Sequence, residues 1–149
     1  MHIAGSTCLT LRNLSTTKTD DIDVYYVSNF ISGIAIDKYD MNTRVSTYNL
    51  TYNYEDRLEK VDINTKVIDY YILSLEDTVV LKLAANRQKD MDNLDTEIVV
   101  NHIEWDKLRD IAEEMRYSVL NERLWREFAH TYNDYCRRWK HEDYVITNI

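Results

Sequence analysis

A histidine and two carboxylates alternate in one short segment of the sequence. His102, Glu104 and Asp106 are separated by single residues, and alternate side chains of a β-strand lie on the same face. An imidazole beside carboxylates can bind a divalent cation or transfer protons, which is the chemistry of a small metal-assisted hydrolase. The segment also lies where a strand is expected to meet a helix, and there Asp106 is a good helix N-cap. A structural role is therefore favoured, with the hydrolase as a minor alternative.

Other motifs that would identify an enzyme are missing. The chain has two glycines, Gly5 and Gly33, which are too few for the glycine-rich loop of a dinucleotide-binding or P-loop protein. It contains neither an HExxH zinc motif nor an acidic residue followed two positions later by lysine. The sequence thus predicts no catalytic residue, no metal ligand and no cofactor, and it favours a protein that is not an enzyme.

The two cysteines are predicted to be reduced thiols. Cys8 and Cys136 lie near opposite ends of the chain and form no CxxC pair. Cys136 precedes Arg137 and Arg138, whose charges could activate a thiolate. Its position on a helical stripe that includes Trp139 favours a buried core thiol instead.

Carboxylates are concentrated in loops of a strongly acidic chain. The formal net charge is −8 and the isoelectric point is about 4.9, so direct binding to nucleic acid is disfavoured, because that requires clustered lysine and arginine. Carboxylates spaced along loops can instead imitate a phosphate track and bind a basic protein surface. The predicted partner-binding residues are Asp20, Asp21, Asp23, Asp90, Asp92, Asp95 and Glu97.

The elements that must position these residues are predicted to be strands up to residue 103. Residues 22–36, 66–75 and 97–103 are rich in β-branched and aromatic side chains, and residues 45–54 alternate tyrosine with small polar residues. Leu9 and Leu11 alternate with Thr10 and Arg12, which is a short strand pattern as well. A further strand, 78–85, follows a predicted two-residue turn at Glu76-Asp77. We expect five or six strands, in a mostly antiparallel sheet over residues 7–103.

The last third of the chain is predicted to be helical. From Asp106 onward, apolar residues recur at helical spacing, and the stripe loses its phase near Asn121. Residues 106–140 should form one kinked helix or two helices that cover one face of the sheet. The expected fold is a single α+β domain over residues 1–149.

Composition and length are those of one globular protein. The chain has 149 residues, of which 44% are hydrophobic and 30% are charged. Its first residues lack the basic and apolar regions of a signal peptide, and no apolar run approaches the length of a membrane span. A cytoplasmic location is therefore expected.

The leading hypothesis is a non-enzymatic inhibitor that docks its acidic loops on a basic, nucleic-acid-binding protein. In composition, rather than in any motif, the chain is similar to small acidic inhibitors encoded by phages, including anti-CRISPR proteins. That resemblance implies a viral protein that acts in the host cytoplasm. The alternative is a structural or assembly protein that forms homo-oligomers through a tyrosine-rich sheet edge at Tyr48–Tyr54.

Overall fold

A computed structural model describes residues 2–15, 22–26, 39–40, 50–62, 69–118 and 121–149. For residues 22–26 and 39–40 it describes the course of the backbone. Everything that follows refers to these parts of the chain.

The strands are short and form one mixed sheet. They are β1 (His2–Ala4), β2 (Ile22–Tyr26), β3 (Tyr39–Asp40), β4 (Glu59–Val61) and β5 (Tyr70–Ile72). Their order across the sheet is β3-β2-β1-β5-β4. β1 is antiparallel to β2 and parallel to β5, whereas β2 is parallel to β3 and β4 is antiparallel to β5.

Helices make up most of the described chain. They are α1 (Ser6–Leu11), α2 (Leu75–Ala85), α3 (Gln88–Leu94), α4 (Glu97–Val100), α5 (Trp105–Ser118) and α6 (Glu122–Arg138). There are also two 3-10 helices, Tyr54–Arg57 before β4 and Glu142–Tyr144 after α6. Helices α5 and α6 both pack against α2, which also contacts α1 and α3. The larger hydrophobic core consequently lies between helices and not on the sheet.

The central helix α2 is enclosed on all sides. Every residue from Leu75 to Leu83 is buried, including the charged Glu76, Asp77 and Lys82. Ser74 begins the helix as its N-cap and accepts a hydrogen bond from the Asp77 N–H. Each buried charge has a partner: Lys107 contacts Glu76 at 2.9 Å and Arg57 contacts Asp77 at 2.7 Å. These ion pairs connect α2 to α5 and to the 3-10 helix at Tyr54–Arg57.

The predicted α+β fold, with five or six strands in a mostly antiparallel sheet over residues 7–103, is wrong, because the described chain is mostly helical and its short strands form a mixed sheet. Residues 78–85, predicted as a strand, belong to α2, and the predicted turn Glu76-Asp77 is its first turn. A helix buried on every side has no polar face, so its apolar run lacks the period that distinguishes a helix from a strand. The β-branched residues favoured a strand prediction, although the N-cap pattern Ser74-x-x-Asp77 indicates the start of a helix.

Other predicted strands are helical or lie partly outside the described residues. Residues 7–11 belong to α1, and residues 97–100 form α4. Of the predicted tyrosine-rich strand, residues 50–54 form a turn and the start of a 3-10 helix, and residues 45–49 lie outside the described residues. In these segments tertiary contacts outweigh a weak local strand propensity.

The two C-terminal helices agree with the predicted loss of phase near Asn121. Helix α5 ends at Ser118, and α6 starts after Asn121, whose side chain caps it. Their packing was predicted wrongly, because they cover α2 and not a sheet face. Their aromatic residues make the core specific: the Tyr135 hydroxyl donates to the Leu94 carbonyl at 3.0 Å, and the Trp105 and Tyr135 rings stack.

No helix in the described parts of the chain is long and apolar enough to cross a bilayer.

Candidate active site

A glycine-serine turn joins the first strand to the first helix. β1 ends at Ala4, and Gly5 has φ 67° and ψ −152°. Only glycine adopts this combination readily, since it has no Cβ. The chain passes directly from Gly5 into Ser6, the first residue of α1. Because Gly5 has no side chain, a ligand can approach the backbone closely at this point.

Replacing Gly5 with alanine is expected to destabilise the protein by about 1–3 kcal/mol, because alanine must adopt a backbone conformation that only glycine tolerates. Urea unfolding followed by circular dichroism measures the change. Ala84→Gly, within the regular helix α2, is a reference for an ordinary alanine-glycine exchange and should cost about 1 kcal/mol. A G5A protein as stable as the wild type would contradict this conformation of the turn.

Two acidic residues lie at the same end of the sheet as this turn. In the antiparallel β1–β2 pair, Ala4 is opposite Asp23. In the parallel β2–β3 pair, Asp23 is opposite Asp40. Strand register thus places Asp23 and Asp40 on neighbouring strands, with Asp23 across from the residue that precedes Gly5.

A buried lysine reaches the turn from the central helix. The Lys82 Nζ atom of α2 lies 3.1 Å from the Ser6 Oγ atom and 3.0 Å from an Asp90 carboxylate oxygen. The side chain of Lys82 is 5% exposed and that of Asp90 is 2% exposed. An ammonium group has three N–H donors, and the third has no partner among the described residues. Within the described parts of the chain, one donor of the ammonium thus stays without a partner beside Ser6.

Asp90 is held by two cations. Arg87 donates from Nε to one carboxylate oxygen at 2.7 Å and from Nη2 to the other at 3.3 Å, while Lys82 binds on the buried side. Burial raises the pKa of Asp90, but the hydrogen bonds and charges of Arg87 and Lys82 outweigh burial and leave the pKa below its usual value. The carboxylate is thus ionised at neutral pH.

The lowered pKa of Asp90 predicts that the free energy of unfolding depends on pH in the acidic range. A carboxyl group whose pKa is lower in the folded state contributes its full stabilisation above its unfolded pKa, about 4, and loses that stabilisation as the pH falls through the folded value. The free energy of unfolding should therefore decrease below about pH 4, and Asp90→Asn should reduce that decrease. Urea unfolding between about pH 3 and pH 6 measures both slopes, and equal slopes in wild type and variant would refute the prediction.

The acidic residues predicted to bind a partner have different surroundings. Asp90 is buried, as described above, and is not available at the surface. Asp95 accepts hydrogen bonds from Arg138 and from the Trp139 indole. Asp92 is exposed and accepts from Gln88 at 2.8 Å, and Glu97 is exposed in the first turn of α4.

The structure describes the predicted acidic residues of the N-terminal half only in part. Asp23 lies in β2, and Asp20 and Asp21 lie outside the described residues. The described acidic residues therefore have different surroundings. That the exposed members contact a basic partner stays a prediction.

The alternating segment at His102 does not form a cluster. His102 lies in the turn after α4, where its Nδ1 atom is 2.7 Å from the Ile98 carbonyl oxygen. Glu104 is exposed, and Asp106 lies within the first turn of α5, which begins at Trp105. Within the described residues, no group of three or more histidine, cysteine, aspartate or glutamate side chains is placed to hold a metal ion.

Both cysteines are free and buried. The Cys8 thiol donates to the Ile3 carbonyl oxygen at 3.1 Å. Burial raises the pKa of both thiols, so neither is an activated nucleophile at neutral pH.

Sequence reasoning missed the residues of the glycine-serine site. In the sequence, Gly5 is one of two glycines, too few for a phosphate-binding loop, Ser6 receives no role, and Lys82 is predicted to lie in a strand. A usable signal was present, because Gly5-Ser6 follows a short apolar segment and the acidic pair Asp21-Ile22-Asp23 comes soon after. A glycine at the end of a strand indicates a close approach of the backbone to something else.

The first strand and first helix thus bring together a glycine-serine turn and a buried lysine, with Asp23 and Asp40 in register on β2 and β3. Over residues 1–140, the chain matches the model of a family described as nucleotidyltransferase of unknown function (DUF6036), and it belongs to that family. No curated protein and no solved structure matches it.

Membership of this family overturns the predicted function. A non-enzymatic, anti-CRISPR-like inhibitor of viral type conflicts with a family of nucleotidyltransferases. The prediction failed because net charge and composition describe solubility and electrostatic attraction, and neither is specific to a function. Strand register relates Asp23 to Ala4 and Asp40 to Asp23, and neither relation can be read from composition.

Proposed function

We propose that this chain is a nucleotidyltransferase that uses the site formed by Gly5, Ser6, Asp23, Asp40 and Lys82. The observation that carries the proposal is the contact of the buried Lys82 ammonium with Ser6. Ser6 belongs to the glycine-serine turn that follows Ala4, and Ala4 is the register partner of Asp23. The family description supports the same reaction class. A cytoplasmic location is part of this proposal.

The reaction class determines what the site has to do. The hydroxyl oxygen of an acceptor forms a bond to the α-phosphorus of a nucleoside triphosphate and loses its proton. The bond from that phosphorus to the bridging oxygen breaks, and pyrophosphate leaves with the electron pair. For such transfers a protein contributes mainly positioning and charge, since the phosphoryl group itself carries the covalent chemistry.

The acidic residues fit the metal ion that such reactions require. Mg²⁺ prefers oxygen ligands and is held in many enzymes by one or two carboxylates together with substrate phosphates. Register places Asp23 and Asp40 on adjacent strands, so these two residues would hold Mg²⁺. When bound there, the ion would neutralise charge on the phosphate oxygens.

The other side of the site is suited to the phosphates. Lys82 has one N–H donor without a partner among the described residues, and its ammonium group suits a phosphate oxygen. Ser6 holds the lysine on one side, and Gly5 allows a phosphate to approach the backbone. We infer that Lys82 contacts the β- or γ-phosphate while Asp23 and Asp40 lie near the α-phosphate.

Nucleotide binding and label transfer test the proposal. Purified protein is titrated calorimetrically with each of the four common ribonucleoside triphosphates, with and without Mg²⁺. It is then incubated with α-³²P-labelled nucleotide and with total cellular RNA or total cellular protein as acceptor. The proposal predicts Mg²⁺-dependent binding of at least one nucleotide and label transfer accompanied by pyrophosphate release. Absence of binding for all four nucleotides at millimolar concentration would refute it.

A further inference from the structure

The ion pair between Lys82 of α2 and Asp90 of α3 is part of a longer series of contacts. Arg87 at the surface binds Asp90, Asp90 binds Lys82, and Lys82 binds Ser6. The side chain of Arg87 is 73% exposed, whereas those of Asp90 and Lys82 are almost completely buried. This series of contacts connects the protein surface to the glycine-serine turn.

Stability alone does not explain a buried pair of this kind. Removing two charges from water costs free energy that their attraction often does not return, and an apolar pair of similar volume is frequently as stable. Arg87 also binds the Asp90 carboxylate from the surface side, and it does so through two nitrogens. This arrangement determines the orientation of the carboxylate and therefore the position of the Lys82 ammonium.

We propose that Asp90 is a positioning residue, which holds the Lys82 ammonium against Ser6 with its third N–H left for a nucleotide phosphate. The inference rests on the proposed function for the identity of the ligand. The placement of Lys82 by Asp90 can be tested without any ligand. Asp90 itself is assigned no contact with the nucleotide, because its buried carboxylate oxygens are already bonded to Arg87 and Lys82.

The first test measures the chemical reactivity of Lys82 in the protein without ligand. Reductive methylation with formaldehyde, quantified by mass spectrometry of peptides, reports how often each lysine amine is accessible. Lys82 in the wild type should react slowly, and the exposed Lys89 is an internal standard. In Asp90→Asn, methylation of Lys82 should accelerate about tenfold or more, because the ammonium has lost the group that holds it.

Asp77→Asn is the matched control. Asp77 is also buried and also bound by an arginine through two nitrogens, but it does not contact Lys82. Its replacement should lower the melting temperature to a similar extent and leave Lys82 methylation unchanged. Unchanged reactivity of Lys82 in Asp90→Asn, or equal acceleration in Asp77→Asn, would overturn the positioning role. If Asp90→Asn does not fold, Arg87→Gln, at an exposed position, should give a smaller acceleration, and none would also overturn it.

The second test measures nucleotide affinity in the same variants. The dissociation constant of the Mg²⁺-nucleotide complex that binds best to the wild type should rise about tenfold or more in Asp90→Asn and less than twofold in Asp77→Asn. Equal losses in both variants would overturn the link to phosphate binding. If the wild type binds none of the four nucleotides, the proposed function fails, while the methylation result still decides whether Asp90 positions Lys82.

Discussion

Replacing Asp23 with asparagine is expected to reduce nucleotidyl transfer by about 10²-fold or more. The proposal assigns Asp23 to the metal ion that neutralises phosphate charge, and an amide removes the negative charge that binds that ion. Metal-assisted charge stabilisation amounts to several kcal/mol, and each 1.36 kcal/mol corresponds to about tenfold in rate. The measurement is transfer of α-³²P label at saturating nucleotide, over a range of Mg²⁺ concentrations.

The control for this experiment is Asp92→Asn, which removes one negative charge from an exposed position on α3. It should retain full activity, so that a change in net charge is separated from a change in the site. Asp23→Asn should also require more Mg²⁺ for half-maximal activity, provided that residual activity remains measurable. Wild-type transfer and wild-type Mg²⁺ dependence in the Asp23→Asn variant would show that Asp23 does not bind the metal ion.

The second large effect concerns the stability of the pair between Lys82 and Asp90. Asp90→Leu alone should destabilise the protein by about 3–5 kcal/mol, because it leaves an uncompensated charge in the interior. The double variant Lys82→Met with Asp90→Leu should recover most of that loss, since two apolar side chains of similar volume need no counter-charge. Urea unfolding of the wild type, both single variants and the double variant gives the coupling free energy directly.

Nucleotide binding in the same four proteins separates stability from function. The double variant should be close to the wild type in stability and should still bind Mg²⁺-nucleotide much more weakly, because it lacks the ammonium group. Wild-type affinity in the double variant would show that Lys82 does not contact the phosphates. A single Asp90→Leu variant that loses less than about 1 kcal/mol would show that the pair is not in a low-dielectric interior.

Part of the fold could be predicted from the sequence because it depends on local periodicity. Helices α5 and α6 each have one apolar and one polar face, so their spacing is visible in the sequence, and Asn121 marks the break between them. Helix α2 has no polar face, since its charged residues Glu76, Asp77 and Lys82 are buried in ion pairs. An amphipathic pattern cannot reveal a helix of that kind.

The candidate site was less predictable, because its residues are far apart in the sequence. Ser6 and Lys82 are 76 positions apart, and their contact depends on the packing of α1 against α2. Asp40 becomes relevant only through the parallel pairing of β3 with β2. The acidic residues did attract attention, but as a charged surface, since charge content can be counted from a sequence while the convergence of charges cannot.

By itself, the sequence determined the acidic charge and the amphipathic helical pattern of residues 106–140, because each is a property of single residues or of neighbours along the chain. Tertiary structure alone decided that residues 75–85 form a central helix, that Lys82 lies buried between Ser6 and Asp90, and that Asp23 and Asp40 are register partners. These features depend on strand pairing and helix packing between distant segments, and the free energy of such contacts exceeds local propensity.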